Sequence, residues 1–290
     1  MPLPRPILSA FILALALIAF SGCSLFQGGM KFFFSRSQSE NAKGTSILRP
    51  LRKAYDAVEL EIYFVERPQS DPLLGEMLWR DIAPIGTLSP EVRRELTGSG
   101  FRVGHIGSTP PPALETLLGL RAEISDESGP SEQKHLVHQH INLRSGNETE
   151  VQTSPHYPQL DVILPSSEGV QLKSFENARC LYRIKAKRLQ KGWVTLEFQP
   201  EIHHGQYGYR FLPSSEGWTG RTKQIIHPIF TQRFSVSLNQ GEMVVLSADG
   251  KDVESLGSYF FQGSGNDSRR QRLLIVRLAE LPKTEVAYSE

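Results

Sequence analysis

The hydrophobic pattern changes character several times along the chain. Ile7 to Phe20 is an almost unbroken apolar run, interrupted only by Ser9, with Arg5 before it and Ser21-Gly22-Cys23 after it. A basic start, a short greasy centre and small residues before a cut site form a secretory leader over residues 1–22. The run is too short to span a bilayer, which takes about 20 apolar residues. Residues 23–50 read as a polar tether with Gly28-Gly29 and Pro50; within it, Phe32-Phe33-Phe34 either dip into a lipid interface or pack on the domain.

Periodicity of two begins at residue 56. Val58, Leu60, Ile62 and Phe64 alternate with Glu59 and Glu61, the signature of a half-buried strand. Asp71-Pro72 is a helix-start signal, and the spacing predicts a helix through Trp79 and Ile82. Ser89-Pro90 starts a second helix ending near Leu96, Phe101 to Ile106 is a strand, and Ala113 to Leu120 a third helix after three prolines. Residues 56–122 thus read as a small α/β domain, and the polar stretch 123–134 as its boundary.

Residues 135–282 read as a larger, mostly antiparallel β domain, making the whole an α+β protein. Cys180, Tyr182, Ile184 and Ala186 alternate with Arg179, Arg183, Lys185 and Lys187, and Lys191-Gly192 turns into Trp193–Gln199. Phe234, Val236 and Leu238 repeat the alternation, and Gln240-Gly241 turns into Met243–Leu246. Leu273-Leu274-Ile275-Val276 reads as a strand buried on both faces. Gln206 to His227 reads as a long loop whose Tyr207, Tyr209, Phe211 and Trp218 form a candidate binding surface, or else cover the sheet edge.

Composition narrows the classes. A formal charge of +1 over 290 residues gives no basic footprint for nucleic acid. Hydrophobic residues at 39% allow a real core. The two cysteines are Cys23 and Cys180; Cys180 lies in a strand pattern, where a free thiol behaves as a small apolar residue. No nucleophile motif of the Gly-x-Ser-x-Gly kind occurs. His135, His138 and His140 are the candidate metal ligands, with His156, His203 and His204 as possible helpers. In a strand, however, 138 and 140 share one face and 135 takes the other, whereas zinc wants three converging ligands. Glu201 with His203 and His204 is a second acid–histidine grouping, read as a strand-end turn. No cofactor is implied. The basic side chains of the 179–188 stretch read as solvated surface or as a contact for an anionic partner.

Two resemblances add to this. Phe20-Ser21-Gly22-Cys23 resembles the lipobox of bacterial lipoproteins, with Phe20 where leucine is usual. That resemblance implies diacylglycerol on the Cys23 sulfur, cleavage before Cys23 and a fatty acyl chain on the new N-terminus; Ser24 points to the outer membrane. Val194 to Ile202, Arg233 to Leu246, Leu256-Gly257 with Phe260-Phe261, and Arg272 to Val276 resemble segments of the C-terminal domain of bacterial secretins. The secretin-like stretch covers about a third of the chain and lacks that family's long Val-Pro to Ile-Pro segment. It implies packing within an outer-membrane, secretion-system-like assembly. The expected protein is lipid-anchored, non-enzymatic and periplasm-facing, with envelope proteins as possible partners. The alternatives are a periplasmic metal-dependent hydrolase using the histidine cluster, and a ligand-binding lipoprotein.

Overall fold

The computed structural model describes residues 56–120, 135–166, 169–189, 192–214, 217–263 and 270–281. The predicted leader, Cys23, the tether and the 123–134 boundary lie outside them, as does the side chain of His135.

Among the described residues, ten strands form two sheets. The first holds β1 (Ala57–Pro68), β2 (Phe101–Ile106), β3 (His135–Arg144), β9 (Met243–Ala248) and β10 (Arg270–Glu280), in the order β2-β9-β10-β1-β3. The second holds β4 (Glu148–Ser166), β5 (Gly169–Arg188), β6 (Trp193–Ser214), β7 (Gly217–Pro228) and β8 (Phe234–Asn239), with β7 and β8 both pairing β6. Every pairing is antiparallel. The chain is mostly antiparallel β, as the alternation predicts.

Among the described residues four short α-helices complete the fold: α1 (Glu76–Trp79), α2 (Pro90–Gly98), α3 (Pro112–Leu118) and α4 (Leu256–Phe261). The helix predicted from Asp71 to Ile82 shrinks to α1. Asp71 instead folds a turn, its carboxylate accepting from Leu73 N at 2.9 Å, and Gly75 sits before the first helical residue. Ser89 caps α2 by accepting from Val92 N, with proline at the first helical position as read.

The first sheet is covered on both faces. One face packs on α1 and α3 through Val65, Leu78, Leu114, Val245 and Ile275. The other shares a core with the second sheet and α4, through Leu60, Phe101, Tyr182, Phe198 and Phe260. Double burial explains why β9 and the centre of β10 read as continuous apolar runs rather than alternations. Helix α4 reaches this core because Gly257 lets it touch the backbone: a Cβ there would stand 2.1 Å from Gly100 O.

The stretches 56–122 and 135–282 do not form separate sheets. β10, from the end of the chain, lies between β1 and β9, and β2 is an edge strand beside β9. Residues 123–134 divide the sequence, yet the strands on either side share one sheet. Nor is Gln240-Gly241 a hairpin turn: β8 pairs β6 in the second sheet, while β9 pairs β10 and β2 in the first.

Candidate functional site

The second sheet forks. Below Arg179, β4, β5 and β6 pair continuously. Pairing of β5 with β6 ends at Arg179↔His203. Above that level β5 pairs with β4 up to Ser166↔Gly169, and β6 pairs with β7 up to Ser214↔Gly217. Two long hairpin arms therefore diverge from one sheet. The stretch Gln206–His227, read from sequence as a loop, is mostly the second arm. Its Gly208, Gly217 and Gly220 hid the strand signal, and its partner strand supplies what its own alternation lacks.

Four irregularities fall at the fork. β4 carries a register shift between Gln152 and His156, and β6 another between His204 and Gly208. Between them Asn177 takes φ 54° and Gly205 φ 74°, the left-handed region those two residue types tolerate best. Backbone groups stripped of ladder partners here are met by side chains. Ser154 Oγ accepts from Cys180 N at 2.8 Å. The Gln224 amide donates to Asn177 O at 2.8 Å and Gly205 O at 2.9 Å, so it pins the two arms at their base. Arg179 donates in turn to Gln224 Oε1 at 3.0 Å. Gln224→Leu is expected to cost about 2 kcal/mol in a denaturant titration, because at a buried site Asn177 O loses its side-chain donor and Gly205 O keeps the Asn177 amide at 3.2 Å.

One level below runs a belt of charge. Arg183 holds Glu201 through two hydrogen bonds, at 2.8 and 2.9 Å. It also pairs with Glu148 and, at 3.5 Å, with Glu150. Lys223 reaches Glu150 at 2.9 Å, and His203 Nε2 lies 2.9 Å from Glu201. These residues come from β4, β5, β6 and β7, so the belt ties all four strands. Burial opposes the charge on Glu201, but hydrogen bonds from His203 and Arg183 hold its carboxyl below the usual range. Burial likewise opposes the charge on Glu150, and Lys223 reverses that. The sequence grouping of Glu201 with His203 is thus real in space. It lies in mid-strand within an ion-pair network, not in the strand-end turn expected. Lys185 and Lys187, from the same basic stretch, are exposed.

The arms expose apolar side chains. On the first, Ile163 pairs across from Leu172, and the two are 61% and 68% exposed, with Val170 at 79%. On the second, Tyr207 and Tyr209 are exposed; Arg179 stacks over Tyr207 at 6.0 Å, and Tyr209 lies across Gly220. The backbones of Phe211 and Trp218 pair with Gly220 and Pro213. Where the arms part, Phe175 packs against His204 and His227, with ring centroids 4.8 and 5.2 Å away. Burial pushes both imidazoles toward the neutral form.

The remaining candidates lie apart. His138 and His140 stand on β3 in the other sheet from His156, His203 and His204. His138 stacks on Tyr63 at 4.4 Å, and His140 pairs with Glu59. Among the described residues, no group of three histidine, cysteine or acidic side chains is placed to hold a metal ion. Cys180 is fully buried, and burial pushes its thiol up to about 12. The fork has its own sequence signal in Pro155 and Pro158 of β4, with Asn177 and Gly205 at matching depth.

No family model matches the chain, and no curated protein matches it. Among solved structures, it is similar to the type IV competence pilus secretin PilQ of V. cholerae, at 10% identity and a TM-score of 0.19; the match covers 76% of this chain and 57% of that one.

Proposed function

We propose that this chain is a lipid-anchored, non-enzymatic component of an outer-membrane assembly. Cys23 carries the lipid, the folded part faces the periplasm, and neighbours join it through the forked sheet. The observation that carries the reading is the pair of arms. A two-stranded ribbon is marginal alone in water, and here each ribbon exposes apolar or aromatic side chains as well as strand edges. Such surfaces mark contact with another chain or with lipid. The outer edge of β7 is the more open of the two: its only proline is the terminal Pro228, whereas β4 carries Pro155, Pro158 and Pro165. The lipobox-like Phe20-Ser21-Gly22-Cys23 supports the membrane placement.

Native mass spectrometry of protein extracted in mild detergent tests both halves. The expected particle contains several copies, or a copy with an envelope protein, and each chain starts at Cys23 with added lipid mass. A solitary chain with an unmodified sulfur would overturn the reading.

A further inference from the structure

A cavity of about 540 Å³ lies against the outer side of β2, between α1 and α2. That volume is in the range of small-molecule sites. Its walls are mixed in a particular way. Ile82, Ile85, Leu88 and Val103 supply apolar surface, and Arg93, Arg102 and Lys251 supply positive charge against Glu76 and Asp249. Asp249 accepts from the backbone N–H of Lys251 at 3.1 Å, and the Lys251 side chain is exposed, so its charge stays in water. Arg93 already donates to Ile85 O at 3.3 Å.

Arg102 is the partly buried cation of the lining with no bonded partner among the described residues. Its guanidinium stacks on Trp79 with 4.8 Å to the ring centroid. Among the described residues no carboxylate stands within ion-pair distance of it. Burial works against its charge, opposed only by the more distant Glu76 and Asp249. A partly desolvated cation without a counter-ion at contact distance gains by pairing with an anion that enters the cavity. The indole Nε1 of Trp79 is also buried without an acceptor among the described residues.

The occupant is a small molecule rather than an added strand. β2 is an edge strand, but the segment before α2 already lies along it: His105 N donates to Ala83 O at 2.8 Å. The path an extended peptide would take is closed there, and what remains open is a concave pocket. We propose that this cavity binds a small anionic amphiphile: a carboxylate seated on Arg102, with a short acyl chain along Ile82, Ile85 and Leu88. This site is independent of the arms and of the assembly proposed above.

Calorimetric titration of the full chain with octanoate, 1-octanol and octylammonium separates charge from grease. Octanoate is expected to bind best and octylammonium worst. Arg102→Met keeps an apolar stem over Trp79. It should weaken octanoate by about tenfold or more, to the level of octanol, while octanol binding stays within about twofold. Should that variant fail to fold by circular dichroism, Arg102→Gln carries the same comparison. Equal binding of all three probes, no binding of octanoate at millimolar concentration, or octanoate binding unchanged by either substitution would each overturn the proposal.

Discussion

Replacing Phe260 by alanine is expected to lower the free energy of unfolding by about 4 kcal/mol, read as a fall in the denaturant midpoint at unchanged slope. The ring is fully buried in α4. It meets Phe101 of the first sheet at 5.3 Å and Tyr182 of the second at 5.5 Å, both steeply inclined. Edge-to-face contacts of this kind add to the loss of buried area. The void cannot collapse easily either. Gly257, three residues away, rests directly on Gly100, and its N–H donates to Ser99 O at 2.8 Å, so α4 is already as close to β2 as backbone allows. Because Phe260 joins both sheets, the loss falls on the joint between them rather than within one layer. Phe230→Ala is the fitting comparison. That side chain is 67% exposed, and its removal should change stability by no more than about 0.5 kcal/mol. Equal effects of the two would mean that α4 does not hold the sheets together.

Most strands were legible because burial on one face imposes a period of two. The segment Arg179–Arg188 shows it plainly: Cys180, Tyr182, Ile184 and Ala186 are buried, while Arg183 and Lys185 lie on the other face. The apolar run at Leu273–Val276 was legible for a different reason, since its strand is central in a sheet covered on both sides. Pairing partners were not legible. Nothing in the alternation of β1 says that β10, some two hundred residues later, lies beside it, so an apparent boundary at 123–134 looked like a division between domains. The helix at 71–82 was over-read because periodicity outweighed Gly75, and glycine inside a helix costs about 1 kcal/mol. The second arm was missed for the opposite reason: its glycines and aromatics mimic a loop, and its hydrogen bonds come from the partner strand. The histidine motif was visible on β3, but sequence could not reveal that Tyr63 and Glu59 occupy His138 and His140. The charge belt was half visible, as Glu201 with His203. Arg183 looked like one more solvated cation because its acids come from β4 and β6.

Arg183→Ala should be the most damaging single change on the polar face, at about 3 kcal/mol. The Arg183 side chain is 21% exposed and that of Glu201 5%. Removing the guanidinium strips a buried carboxylate of its cation and leaves it the hydrogen bond with His203, and a buried charge that loses its cation costs more than the pair gains. The contact with Glu148 adds little, since that side chain is 47% exposed. Arg183→Lys should recover less than half of the loss, because an ammonium cannot reproduce the two-pronged contact with Glu201. Acid titration gives a second readout. Glu201 has its folded pKa held below the ordinary carboxylate range, so its contribution is present above the unfolded-state value and fades as pH falls through the lowered one. Without Arg183, burial still pushes that pKa up with less to oppose it, so the acid unfolding midpoint should move to higher pH. Loss of this belt should also loosen the base from which the two arms diverge. The copy number seen by native mass spectrometry should then fall in Arg183→Ala under conditions where the chain remains folded. A variant as stable and as acid-tolerant as the parent would show that the belt is ordinary surface charge, worth at most about 1 kcal/mol in all.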